Sequence, residues 1–91
     1  MNNELLRFTA TGTNGVNILL PPKFEFVFYE DRLEMFKKGK LVRSINYSDI
    51  NEIRLFKTWQ NNVLINCNPI GVNIYKISDD LYNKIKEITK K

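Results

Sequence analysis

Helical periodicity occurs once in this chain, at its very end. Before Ser78 the sequence is a series of short alternating or β-branched runs broken by turn residues. Ser78–Lys91 instead places Leu81, Ile85 and Ile88 at i, i+4 and i+7, the spacing that lines three apolar side chains along one stripe of a helix. That stripe must be buried, and among strands the surface that can bury it is the open end or face of a small barrel or sandwich. Ser78 or Asp79 is placed to accept from the first free N–H groups. Asp79 and Asp80 lie at the positive end of the helix dipole, and Lys84, Lys86, Lys90 and Lys91 lie toward its negative end.

The strand pattern can be followed along the chain. Glu4–Thr11 leads into Gly12-Thr13-Asn14-Gly15, which reads as a tight reversal into Val16–Leu20, an N-terminal hairpin occupying residues 1–23. Pro21-Pro22 interrupts pairing, since proline has no N–H for a ladder. Lys23–Tyr29 puts Phe24, Phe26 and Phe28 on one face, marking the core. Glu30-Asp31 turns into Arg32–Lys37, and Lys38-Gly39-Lys40 turns into Leu41–Tyr47, with Leu41, Ile45 and Tyr47 inward and the head of Arg43 snorkelling outward. After Ser48-Asp49, Ile50–Phe56 offers Ile53 and Leu55 to the core. The polar connection Lys57–Asn62 leads to a last pair around Asn68-Pro69, with Val63, Ile65, Cys67, Ile70, Val72 and Ile74 inward. Strands at this spacing without intervening helices predict an antiparallel all-β fold with sequence neighbours paired. The expected fold class is mainly β: a small antiparallel barrel or sandwich of about seven strands capped by one C-terminal α-helix. The 91 residues suffice for one domain, with strands over 24–77 and the capping helix over 78–91.

A hydrophobic content of 43% with 26% charged residues is that of an ordinary folded protein rather than a disordered one. A formal net charge of +4 permits an anionic partner without requiring one. The single Cys67 has no internal disulfide partner and reads as a small apolar filler in a reducing setting. No apolar run approaches a membrane span and Met1-Asn2-Asn3-Glu4 does not resemble an export signal, so the cytoplasm is the expected location. The Asn, Ile and Lys richness looks like the codon bias of an AT-rich bacterial genome.

The run Tyr29-Glu30-Asp31-Arg32-Leu33-Glu34, the basic turn Lys38-Gly39-Lys40, the segment Ile45-Asn46-Tyr47-Ser48-Asp49-Ile50-Asn51-Glu52-Ile53 and the terminal helix together resemble the bacterial PH-like (pleckstrin-homology-like) domains. Those domains commonly show a "yed-r-l" turn, a basic turn and an I-x-Y-x-D-I-x-x-I segment between their two sheets. The likeness covers roughly residues 24–91. It implies a PH fold but no fixed activity, since PH-like domains include lipid binders, peptide binders and assembly modules.

With no His, no Cys-His or Ser-His arrangement and no glycine-rich phosphate loop, the sequence points away from an enzyme, and no cofactor or metal is expected. Glu30-Asp31 and Asp79-Asp80 read as a turn and a helix start. Two features could carry recognition. The first is the basic turn Lys37, Lys38 and Lys40 with Arg43 beyond it. The resemblance likens it to the loop with which eukaryotic PH domains grip inositol phosphates, although its final spacing differs; the competing reading is a solvated hairpin tip. The second is Trp59, either an exposed anchor or a lid over one end of the barrel. The expected role is that of a non-enzymatic binding module for a protein partner or for its own assembly, with an exposed sheet edge able to add a partner strand and the loops around Lys38 and Trp59 as the expected contact surfaces. Peripheral attachment to anionic lipid through Lys37–Lys40 is the alternative, and nucleic acid ranks third because acids such as Glu25, Glu34 and Glu52 dilute the charge.

Overall fold

The computed structural model describes residues 3–15, 21–57 and 60–91. They form seven strands and one helix: β1 (Leu6–Asn14), β2 (Lys23–Phe28), β3 (Arg32–Lys37), β4 (Lys40–Asn46), a 3₁₀ turn (Tyr47–Asp49), β5 (Ile50–Lys57), β6 (Asn61–Cys67), β7 (Val72–Tyr75) and α1 (Asp79–Thr89). All pairings are antiparallel, in the order β4-β3-β2-β1-β7-β6-β5. The architecture is the expected one, a PH-like β shell with a C-terminal helix.

One strand joins the two halves of the sheet. Leu6–Thr11 of β1 ladders with Lys23–Phe28 of β2, whereas Gly12–Asn14 ladders with Val72–Ile74 of β7. The reversal expected at Gly12–Gly15 is therefore displaced: Gly12, Thr13 and Asn14 continue the strand, and only Gly15, at φ 84°, leaves it. Val16–Leu20, the expected partner strand of that hairpin, lies outside the described residues. Gly12 is needed where β1 changes partner, because a Cβ there would stand 2.5 Å from the carbonyl oxygen of Asn73. The pairing of sequence neighbours also fails at this crossing, since β1 joins β7 while β4 and β5 form no ladder with each other and become the two edges.

Phe26 and Phe28 are fully buried, and the Phe8 ring stacks on both, at 5.4 and 6.0 Å between centroids. Ile53, Val63, Ile65, Val72 and Ile74 are buried as expected. Leu55 is half-buried, packed against that core, and two expected core residues are exposed. Leu41 is 53% exposed because a bulge in β4, opposite the Met35–Phe36 step of β3, sets Met35 against Arg43 and Phe36 against Leu41. The extra residue, Val42, reverses the parity of everything before it. Ile70 is 49% exposed: it sits in the turn before β7 begins, against the backbone of Gly15.

Helix α1 closes the shell as the periodicity requires. The Ser78 hydroxyl accepts from the Leu81 N–H at 3.1 Å, and the Asp79 carboxylate accepts from Lys57 at 3.2 Å and Asn61 at 2.7 Å, tying the helix start to the ends of β5 and β6. Ile85 is fully buried, with Leu81, Tyr82 and Ile88 packed around it. The buried Thr89 hydroxyl donates to the Ile85 carbonyl at 2.8 Å, and Lys90, at φ 59°, ends the helix with its N–H on the Lys86 carbonyl.

Candidate interaction surface

The β3–β4 hairpin turns in two residues. Lys37 and Lys40 are paired, and Lys38 and Gly39 both take positive φ, 52° and 79°, the geometry of a primed turn whose twist matches the strands it joins. Glycine adopts it freely; for Lys38 it costs roughly 1 kcal/mol. Lys37, Lys38 and Lys40 are all exposed at this tip. The ion pairs among the described residues engage six of the 10 carboxylates but only four of the 14 cations. None of the tip lysines is among those four.

Arg43 does not join them. Set opposite Met35 by the bulge, its side chain runs toward the other half of the shell. Nη1 donates to Asn14 Oδ1 at 3.0 Å, while Nη2 donates to the Asn68 carbonyl at 3.3 Å and to Cys67 Sγ at 3.5 Å. The expectation that its head snorkels into solvent is corrected: the guanidinium stitches β4 to the end of β1 and to the β6–β7 turn. Its three acceptors are neutral groups, and among the described residues no other side chain donates to them. Cys67 is more than a filler, since its thiol also donates to the Ile70 carbonyl at 3.4 Å. Burial pushes that thiol's pKa up, against the opposing pull of Arg43. Trp59, the other residue singled out in the sequence, lies outside the described residues.

The two segments that carry the family resemblance meet. The Tyr47 hydroxyl donates to the Tyr29 carbonyl, and the Tyr47 N–H donates to the Asp31 carbonyl at 3.0 Å. The Arg32 guanidinium lies 4.4 Å from the centre of the Tyr29 ring and pairs with Asp31 and Glu34. These residues fix how the chain passes from β4 to β5. Burial foremost, and then the charge of Asp31, raises the Tyr47 pKa. Up to about pH 10 the phenol is neutral in both folded and unfolded chains; above it the unfolded chain loses the proton while the native one keeps it, so stability falls as pH rises. Tyr47→Phe is expected to remove this residue's part of the alkaline loss and to cost about 1 kcal/mol at neutral pH through the lost hydrogen bond. Urea midpoints at neutral pH and above about pH 10 check both effects.

The exposed sheet edge expected from the sequence, which no local pattern assigned to a particular strand, is found at the far side of β4. This strand bonds β3 on one side. Among the described residues, Lys40–Asn46 make no backbone hydrogen bond on the other. Leu41 and Val42 stand exposed on this edge, 53% and 41%, beside the lysine tip. The signal for it is the succession Leu41-Val42-Arg43: two adjacent apolar residues followed by a cation at an inward position do not fit an uninterrupted alternation. Among the described residues there is no cavity and no cluster of three metal-ligating side chains, and no helix is long and apolar enough to cross a membrane. The candidate site is thus an edge and not a cleft. No protein-family model matches the chain, and no curated protein matches it significantly.

Proposed function

We propose that this chain is a non-enzymatic PH-like domain of the bacterial type, acting as a protein-interaction or self-assembly module that takes up a strand along β4. One observation carries the reading: a seven-residue edge strand that has no second neighbour among the described residues and displays Leu41 and Val42 to solvent. Strand addition draws its affinity from such unpaired backbone groups and its specificity from the side chains that flank them. Edges with no binding role are commonly shielded by charge, and here the lysines are gathered at the tip while the next two positions are apolar. A reducing cytoplasmic setting fits the single, hydrogen-bonded thiol.

Leu41→Lys combined with Val42→Lys should leave stability within about 0.5 kcal/mol, because both are exposed surface positions of an edge strand. The pair is expected to abolish capture of any partner that wild-type protein retains at high salt. A partner held equally by both proteins overturns the assignment to β4. Lys37, Lys38 and Lys40, exposed and in no ion pair among the described residues, favour a second reading, attachment to anionic membrane. It makes the opposite prediction: sedimentation with anionic vesicles that disappears at high ionic strength and in the Lys38→Glu, Lys40→Glu protein.

A further inference from the structure

Resting on the edge-binding reading, we infer that the strand received by β4 is the β4 of a second copy of this chain, lying antiparallel about a two-fold axis near the middle of the strand. The two ends of β4 carry opposite charge. One end is the tip bearing Lys37, Lys38 and Lys40. At the other end, Asn46 pairs with Arg32 and the Tyr47 N–H bonds the Asp31 carbonyl, which brings the Glu30-Asp31 turn and the 3₁₀ turn with Asp49 together there. Glu30, Asp49, Asp80 and Glu87 are the four carboxylates without an ion pair among the described residues. Two of the four stand at this acidic end of β4.

An antiparallel two-fold pairing therefore sets each lysine tip against the other copy's Glu30 and Asp49, and does so twice. It also covers Leu41 and Val42 of both copies. Parallel pairing would oppose lysine to lysine. The other free edge, β5, offers less to such a partner, because its exposed Glu52 and Arg54 already pair with each other at 3.3 Å. The Arg43 guanidinium, nearest the axis, is held inward by Asn14, Cys67 and Asn68 of its own chain, which keeps two like charges from meeting across it. Since each copy has one β4, the contact is isologous and the assembly closes at two.

Light scattering on the full chain over a micromolar-to-millimolar series is expected to give the mass of two chains. Two charge-reversed proteins test the register: one with Lys38→Glu and Lys40→Glu, the other with Glu30→Lys and Asp49→Lys. All four positions are exposed, and a melting curve for each protein verifies folding. Each alone should dimerise at least about tenfold more weakly than wild type, because like charges then meet at both ends; an equimolar mixture should recover wild-type affinity as a heterodimer. A monomer throughout, an assembly larger than two, or a dimer indifferent to the reversals overturns the proposal. A monomeric chain that still loses a captured protein on Leu41→Lys with Val42→Lys overturns the second copy as occupant and leaves strand addition at β4 standing; a monomer whose capture ignores those substitutions overturns both.

Discussion

Phe26→Ala is expected to lower the free energy of unfolding by about 3–5 kcal/mol, the range for emptying a fully buried aromatic site. Phe26 has no exposed surface, stacks on Phe8 at 5.4 Å and meets Phe24 edge-on at 6.1 Å. Its ring also lies beneath Gly12, where an added Cβ would be 3.3 Å from the Phe26 Cζ. The ring thus sits under the point at which β1 passes from β2 to β7, and the space it leaves cannot be filled by moving one strand without disturbing the other ladder. Against a total stability of about 5–15 kcal/mol for a domain of this kind, the loss removes between about a fifth and all of the margin. A urea midpoint shifted by less than the equivalent of about 1 kcal/mol, below the range for such a truncation, would contradict this placement of the ring.

Ile85→Ala is the second large effect, about 2–5 kcal/mol by the same mechanism. Ile85 is the one apolar residue of α1 with no exposed surface, while Leu81, Tyr82 and Ile88 are half-buried around it. Ile88→Ala should therefore cost less than Ile85→Ala, and the exposed Lys84→Ala should stay within about 0.5 kcal/mol. Thermal or urea melts of the three variants check the order. If Ile85 and Ile88 behave alike, the helix does not enter the shell in the way described.

What was legible in the sequence was whatever a strict period encodes. Phe24-x-Phe26-x-Phe28 gave the inner face of β2, Val63-x-Ile65-x-Cys67 that of β6, and Leu81, Ile85 and Ile88 that of α1, and all three faces are where the alternation or helical spacing puts them. The failures lie where a local signal competes with tertiary geometry. Gly12-Thr13-Asn14-Gly15 has the composition of a turn, yet Gly12 is present because β7 comes too close for a side chain, a fact about a strand sixty residues away. Leu41 looked inward because alternation was counted back from Ile45 through Val42, the bulge residue, and a single insertion exchanges the two faces.

The candidate site was legible only in part, for the same reason. Lys37, Lys38 and Lys40 do form one exposed tip, as consecutive residues of a tight turn must. Arg43 belongs by sequence distance to the same cluster, but the bulge and the neutral acceptors across the shell draw it away. Leu41-Val42-Arg43 marks a break in alternation, but that β4 is the open edge follows from β1 pairing with β7 and from β4 and β5 remaining apart, which no local pattern encodes.

Amide hydrogen exchange on dilute protein, read residue by residue along β4, tests that openness most directly. Antiparallel edges alternate between N–H groups bonded to the neighbour and groups turned away from it. In the isolated chain, amides of Lys40–Asn46 turned away from β3 should exchange rapidly beside protected ones, alternating except at the Val42 bulge, while the amides of Glu25–Phe28 in β2, laddered to β1 on one side and β3 on the other, exchange slowly as a block. Uniform slow exchange along β4 at a concentration where the chain is monomeric would mean that the edge is already covered, and no partner strand could then be seated there.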